Sequence, residues 1–163
     1  MDHFERLGLP RRFSVDASAI EREYLARSRE VHPDFHSLGT AAQQRSSLEA
    51  TAALNEAYLT LKDPYRRADY LLGLLGGPTA REEKSLDQAF LMEMMEYRER
   101  QEEATTDGER STLESELSVR LDVVLAGVSK EFDAAAPRLA WIRQQLNAAK
   151  TIASLLRDLR NRE

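Results

Sequence analysis

Apolar residues recur along this chain at three- and four-residue spacings, and no stretch alternates for long with period two. The pattern therefore predicts helices throughout. A short first helix is expected over 2–7, stopped by Gly8 and Pro10. The next starts near Asp16 and carries Ile20, Tyr24 and Val31 on one stripe; Arg27 falls on that stripe and is expected to snorkel at the edge of the core. A polar loop over 33–40 leads to a long helix over about 41–61, with Leu54, Ala57, Tyr58 and Leu61 on its apolar side. Asp63-Pro64 reads as an N-cap followed by proline at the first helical position. The helix it opens carries Ala68, Leu71, Leu72 and Leu75, and Gly76-Gly77-Pro78 ends it. Residues 79–86 form a polar linker. Three helical patterns follow over 87–163. The first runs to about residue 104 and is broken by Thr106-Asp107-Gly108. The second has the stripe Leu113, Leu117, Leu121, Val124 and Val128 and ends near Phe132. The third is opened by Pro137 and has Leu139, Ile142, Leu146, Ala149, Ala153 and Leu156 at heptad-like spacing. Three such helices with short loops predict an antiparallel bundle. The fold class is all-α: a helical hairpin with flanking helices over 1–78, then a three-helix bundle.

His32-Pro33-Asp34 falls between the two long helices of the first half. Proline lacks an N–H and disfavours helical geometry in the residue before it, so the first of those helices must stop there. An imidazole, a rigid ring and a carboxylate thus stand at the tip of a helical hairpin, a place where function concentrates. Alone, the tripeptide also reads as a simple turn with a capping aspartate.

Composition narrows the chemistry. The 163 residues are 42% apolar and 31% charged, with a net charge of −5. That balance suits a thin helical protein and argues against a general nucleic-acid binder. No cysteine is present, which excludes disulfides, thiolate metal sites and cysteine catalysis. The first six residues lack the basic-then-apolar order of a signal peptide, and no apolar run approaches a membrane span, so a cytoplasmic location is expected. His32 and His36 have zinc-ligand spacing, but Pro33 separates them and His3 is the only other histidine, so no metal site is expected. There is no nucleophile elbow and no phosphate loop, so the chain reads as a non-enzyme without cofactor.

One further surface stands out in the second half. If Phe90, Met94 and Tyr97 fill the bundle, then Leu91, Met92 and Met95 face outward beside Glu96 and Glu99. An exposed apolar patch rimmed by acid is a partner surface, and methionine suits adaptable contacts. The competing reading covers the patch with the rest of the chain or with a second copy.

At this point the sequence resembles the J-domain family of co-chaperones, and more closely its HscB type. The residues that carry the resemblance are Phe4 with Leu7-Gly8-Leu9-Pro10, Tyr24, His32-Pro33-Asp34, Leu54-Asn55-Glu56-Ala57-Tyr58 with Thr60-Leu61, Pro64 with Arg67-Ala68, Tyr70-Leu71-Leu72, and Ala89-Phe90-Leu91-Met92-Glu93 with Glu96, Arg98 and Glu99. His-Pro-Asp marks any J-domain; the Tyr-Leu-Leu and Phe-Leu-Met-Glu segments make the resemblance specific. It implies an adaptor that stimulates an ATP-hydrolysing heat-shock chaperone of the HscA or DnaK class and delivers an IscU-like iron–sulfur scaffold protein. It also implies a J-domain over 1–78, docking through His32, Pro33 and Asp34 with Arg22 and Arg29, and scaffold binding by Leu91, Met92, Met95, Glu96 and Glu99 within 87–163. No nucleic acid or membrane is implied as a partner.

The sequence departs from the family pattern at three places. Phe35 follows the aspartate where many J-domains have Lys or Arg. The helix before the motif sets three arginines against four carboxylates over 16–31, where the family is basic. Asn147 stands near a position where the family often has an aromatic residue supporting the scaffold contact. A dedicated chaperone with a modified docking face, or a weak interaction, is the expectation. A generic J-protein for another client, and a non-catalytic helical interaction module, remain the alternatives.

Overall fold

The computed structural model describes residues 1–32, 34 and 38–162; Pro33, Phe35, His36, Ser37 and Glu163 lie outside the described residues. Among the described residues there are seven helices and no strand. They are α1 (His3–Arg6), α2 (Ala17–Val31), α3 (Ala41–Lys62), α4 (Pro64–Leu74), α5 (Gln88–Glu103), α6 (Asp107–Phe132) and α7 (Leu139–Arg160). The chain divides into two compact units, Met1–Leu71 and Leu72–Glu163.

In the first unit α1 and α2 both pack on α3. Phe4, Leu7, Ile20, Leu54, Ala57, Leu61 and Ala68 are buried among them. Each start follows from its cap. The Asp16 carboxylate accepts from the Ser18 N–H, Thr40 and Gln43 exchange both bonds of a capping box, and Asp63 accepts from the Arg66 N–H ahead of Pro64. Gly8 ends α1 at φ +64°, and a Cβ there would lie 2.2 Å from the Arg27 guanidinium. The left-handed turn is what favours glycine here; a Cβ would also push the Arg27 guanidinium aside. Arg27 does lie at the rim: its guanidinium packs over Gly8 and pairs with Glu23.

In the second unit α5, α6 and α7 pack together, with Phe90, Met94, Leu113, Leu117, Val124, Val128, Ile142, Leu146 and Ile152 buried. Three expectations shift. Leu75 does not belong to α4: the helix ends at Leu74, the Gly77 N–H bonds the Leu72 carbonyl, Gly76 turns at φ +83°, and Leu75 is exposed. The expected break does separate α5 from α6, but it is confined to 104–106: Asp107 and Gly108 belong to α6. Thr106 caps α6 in a capping box with Glu109, which recruits Asp107 and Gly108 into the first turn. On α7 the seam runs through Ile142, Leu146, Ala149, Ile152, Leu156 and Leu159, and Ala153 is exposed. These spacings fall below 3.6 residues per turn, so the buried line drifts around the helix and leaves Ala153 behind.

Arg138, the N-cap of α7, supplies no side-chain cap. Glu131 does so instead, accepting from the Arg138 backbone N–H at 2.8 Å and from its guanidinium at 3.0 Å twice. The bonds from the Arg138 side chain and backbone hold the Glu131 carboxyl down at about 2.

Candidate functional site

The hairpin tip is built from α2 and α3. Tyr24 stacks on Tyr58 with centroids 4.1 Å apart, and its hydroxyl donates to Asn55 Oδ1 at 2.7 Å. These contacts set α2 against α3 along their length. At the end of α2, the Ser47 hydroxyl of α3 donates to the Val31 carbonyl; the Thr51 hydroxyl lies 3.2 Å from the same oxygen and 2.8 Å from the Ser47 carbonyl, and its one proton is shared between them. A last-turn carbonyl has no partner within its own helix. Here the neighbouring helix supplies one, and the residue held is the one before His32.

His32 then leaves α2 in extended geometry (φ −60°, ψ 136°). Its Nδ1 accepts the Asp34 backbone N–H at 3.2 Å and lies 3.5 Å from Asp34 Oδ2. In the neutral ring this leaves Nε2 as the donor. Both side chains are exposed, Asp34 at 88%. The tip thus offers an acceptor carboxylate and a donor ring at fixed spacing. Pro33, between them, lies outside the described residues. Arg22 and Arg29 are exposed on α2 and line one shallow depression with Ser18, Glu21, Leu25 and Ala26. That face is opposite Ile20, so two cations flank an exposed leucine on the side of α2 turned away from the core.

In the second unit α5 sorts its residues. Phe90 and Met94 are buried, whereas Leu91, Met92 and Met95 are 44%, 60% and 61% exposed, with Glu96 and Glu99 exposed beside them. Two charges of this mixed run serve the bundle. Glu93 takes a bidentate bond from Arg120 at 2.8 and 3.2 Å, and Arg100 gives one to Glu116 at 2.7 and 3.1 Å. Their bond raises the Arg100 pKa and lowers that of Glu116. Glu96 and Glu99 have no such task on α6.

Ser47 and Thr51 were not singled out in the sequence. Their signal is a pair of hydroxyls four apart on the first turns of α3, facing the end of α2. Asn147 also gains a role. Its amide donates to the Glu83 and Ser85 carbonyls at 3.0 and 3.2 Å and its oxygen accepts from Arg143, which is fully buried. It straps the end of the 79–86 segment to α7, work an aromatic ring would not do.

Comparison with known proteins follows the same division. Residues 2–70 match the DnaJ domain, and residues 86–160 match the HSCB C-terminal oligomerisation domain. The co-chaperone protein HscB homolog of Bordetella petrii is 41% identical over 119 residues, 72% of this chain and 70% of that protein. The chain belongs to the HscB family of co-chaperones. The chaperone HscB from Vibrio cholerae superimposes with a TM-score of 0.85 at 30% identity, covering 99% of this chain and 96% of that one. Human co-chaperone protein HscB superimposes at 0.89 and 26% identity, covering 99% and 82%. The all-α architecture, an HscB J-domain followed by a C-terminal helical domain, is the one expected from the sequence. An HscB-type J-domain implies a heat-shock chaperone of the 70 class as partner. Among the described residues no helix is long and apolar enough to cross a membrane, and no group of acidic and histidine side chains is arranged to hold a metal ion.

Proposed function

We propose that this protein acts in the cytoplasm as a two-handed, non-catalytic adaptor. One hand, within 1–78, docks on an ATP-hydrolysing chaperone of the HscA or DnaK class through His32, Pro33 and Asp34 with Arg22 and Arg29, and accelerates its ATPase. The other, within 87–163, holds an IscU-like iron–sulfur scaffold protein on Leu91, Met92 and Met95, with Glu96 and Glu99 at the rim. One observation carries the reading: two exposed recognition surfaces of different chemistry, a polar tip and an acid-rimmed apolar patch, occur in separate compact units of one chain.

The mechanism follows from linkage. A co-chaperone speeds hydrolysis only by binding the fast conformation of the chaperone more tightly than the slow one. The His32 and Asp34 hydrogen bonds, together with charge-assisted bonds from Arg22 and Arg29, supply that difference. Client delivery then follows from joining the hands on one chain, which makes the second encounter intramolecular. ATP turnover by the chaperone is the test. His32→Gln and Asp34→Asn should each reduce stimulation to background and leave helical circular dichroism and Tm unchanged, since exposed loop substitutions cost within about 0.5 kcal/mol. Normal stimulation by either variant refutes the reading.

A further inference from the structure

A groove in the second unit is lined by Lys84 from the 79–86 segment, Arg98 from α5, and Lys150, Thr151, Ser154 and Arg157 from α7. No carboxylate lines it. All four cations are exposed, and none forms an ion pair among the described residues. The net charge of the chain is −5, and Arg100, Arg110, Arg120, Arg138 and Arg160 of the same unit are paired with Asp or Glu, whereas these four gather in one place without a carboxylate among them. Four unpaired cations around one concavity repel one another, a cost that an anionic occupant removes.

The groove adjoins the apolar patch. Arg98 stands three residues after Met95 and seven after Leu91 on one helix, so the three share a face. Glu96 lies on the flank of the patch away from Arg98, Glu99 stands one turn beyond Met95, and Glu102 one turn beyond Arg98. We infer that the client seated on Leu91, Met92 and Met95 continues into this groove with an acidic segment held by Lys84, Arg98, Lys150 and Arg157. The inference rests on the reading of the patch as the client surface. The resulting docking surface joins an apolar centre interspersed with acid on α5 to a basic groove beside it. It therefore fixes the direction in which a partner lies as well as its position. Nucleic acid fits less well, because Glu96, Glu99, Glu102 and Glu103 on the same helix would repel a long polyanion.

The test is calorimetry of the full chain against the iron–sulfur scaffold protein of the same organism over a range of salt. It compares Lys150→Gln with Arg157→Gln, Lys150→Glu with Arg157→Glu, and the alanine triple at Leu91, Met92 and Met95. The glutamine pair should weaken binding several-fold and the glutamate pair at least tenfold. Both should flatten the salt dependence of Kd, with Tm unchanged because the two residues are exposed. If the alanine triple abolishes binding while both charge pairs bind like the parent, the groove is not part of the client surface and the inference falls alone. If the alanine triple binds normally, the inference and the reading beneath it fall together. If the charge pairs alter only sedimentation of the protein by itself, the occupant is a second copy and the inference is overturned.

Discussion

Replacing Leu91, Met92 and Met95 together by alanine separates a binding surface from a core, and the structure sets the size of the effect. The side chains are 44%, 60% and 61% exposed. What they still show to water amounts to roughly one and a half apolar side chains, each worth about 1.5–3 kcal/mol on full burial. Alanine keeps a part of that contact, so the triple variant should lose about 2–4 kcal/mol of client affinity. That raises Kd about 30- to 700-fold at 1.4 kcal/mol per decade. Stability responds differently. The bundle is held by Phe90, Met94 and the seams of α6 and α7, which the variant leaves alone, and exposed positions cost within about 0.5 kcal/mol each. Titration calorimetry against the scaffold protein, paired with a thermal melt, reads both quantities from one preparation. A large rise in Kd at an almost constant Tm is expected. Unchanged Kd with a collapsed Tm would falsify the assignment and place these residues in a packed interior.

Three other outcomes are expected. Ser47→Ala with Thr51→Val removes both hydroxyls beside the Val31 carbonyl and should lower stability by about 1–3 kcal/mol in denaturant titration; chaperone stimulation should fall while Ser47→Thr retains it, and full stimulation by the double variant would show that the clamp does not position the tip. Gly8→Ala must hold φ +64° and displace the Arg27 guanidinium, so it should destabilise the first unit by about 1–2 kcal/mol, and a neutral denaturation midpoint would contradict this. Glu131 has its carboxyl depressed from the ordinary 4.5 to about 2; its contribution to stability is therefore complete above about pH 4.5 and is lost as pH falls towards 2. Glu131→Gln should flatten the fall of Tm across that window, and an unchanged pH profile would show that the bonds to Arg138 do not contribute.

The helices were legible because their signals are local. Asp16, Thr40, Asp63 and Asp87 cap helices where a reader of the sequence would place them, and Gly8 and Gly76 turn the chain where only glycine is at ease. The break at Thr106 was legible, but Asp107 and Gly108 were counted into it because a polar pair with glycine looks non-helical, although the Thr106–Glu109 pair is a start signal that draws them into α6. Ala153 was misplaced because a heptad is only an average, and a drifting seam selects Ile152 instead. The His32 and Asp34 tip and the outward face of α5 were legible from proline geometry and helical spacing. The side-chain ties that hold them were not. Val31 with Ser47 and Thr51, and Glu93 with Arg120, join residues 16, 20 and 27 positions apart. Such pairs exist only once two helices are side by side.

The Val31 carbonyl has a meaning for how such a tip can change over generations. A helix usually depends for its end on the residues that follow it, so altering those residues frays it. Here the end is held from the side by the Ser47 hydroxyl of another helix, with the Thr51 hydroxyl beside it. His32 and Asp34 stand beyond an end that is held from α3, and can be selected for what they touch in another molecule. The same hairpin is a frame on which the loop between His32 and Thr40 can be lengthened, shortened or rewritten for a new chaperone, with α2 staying wound to its last residue.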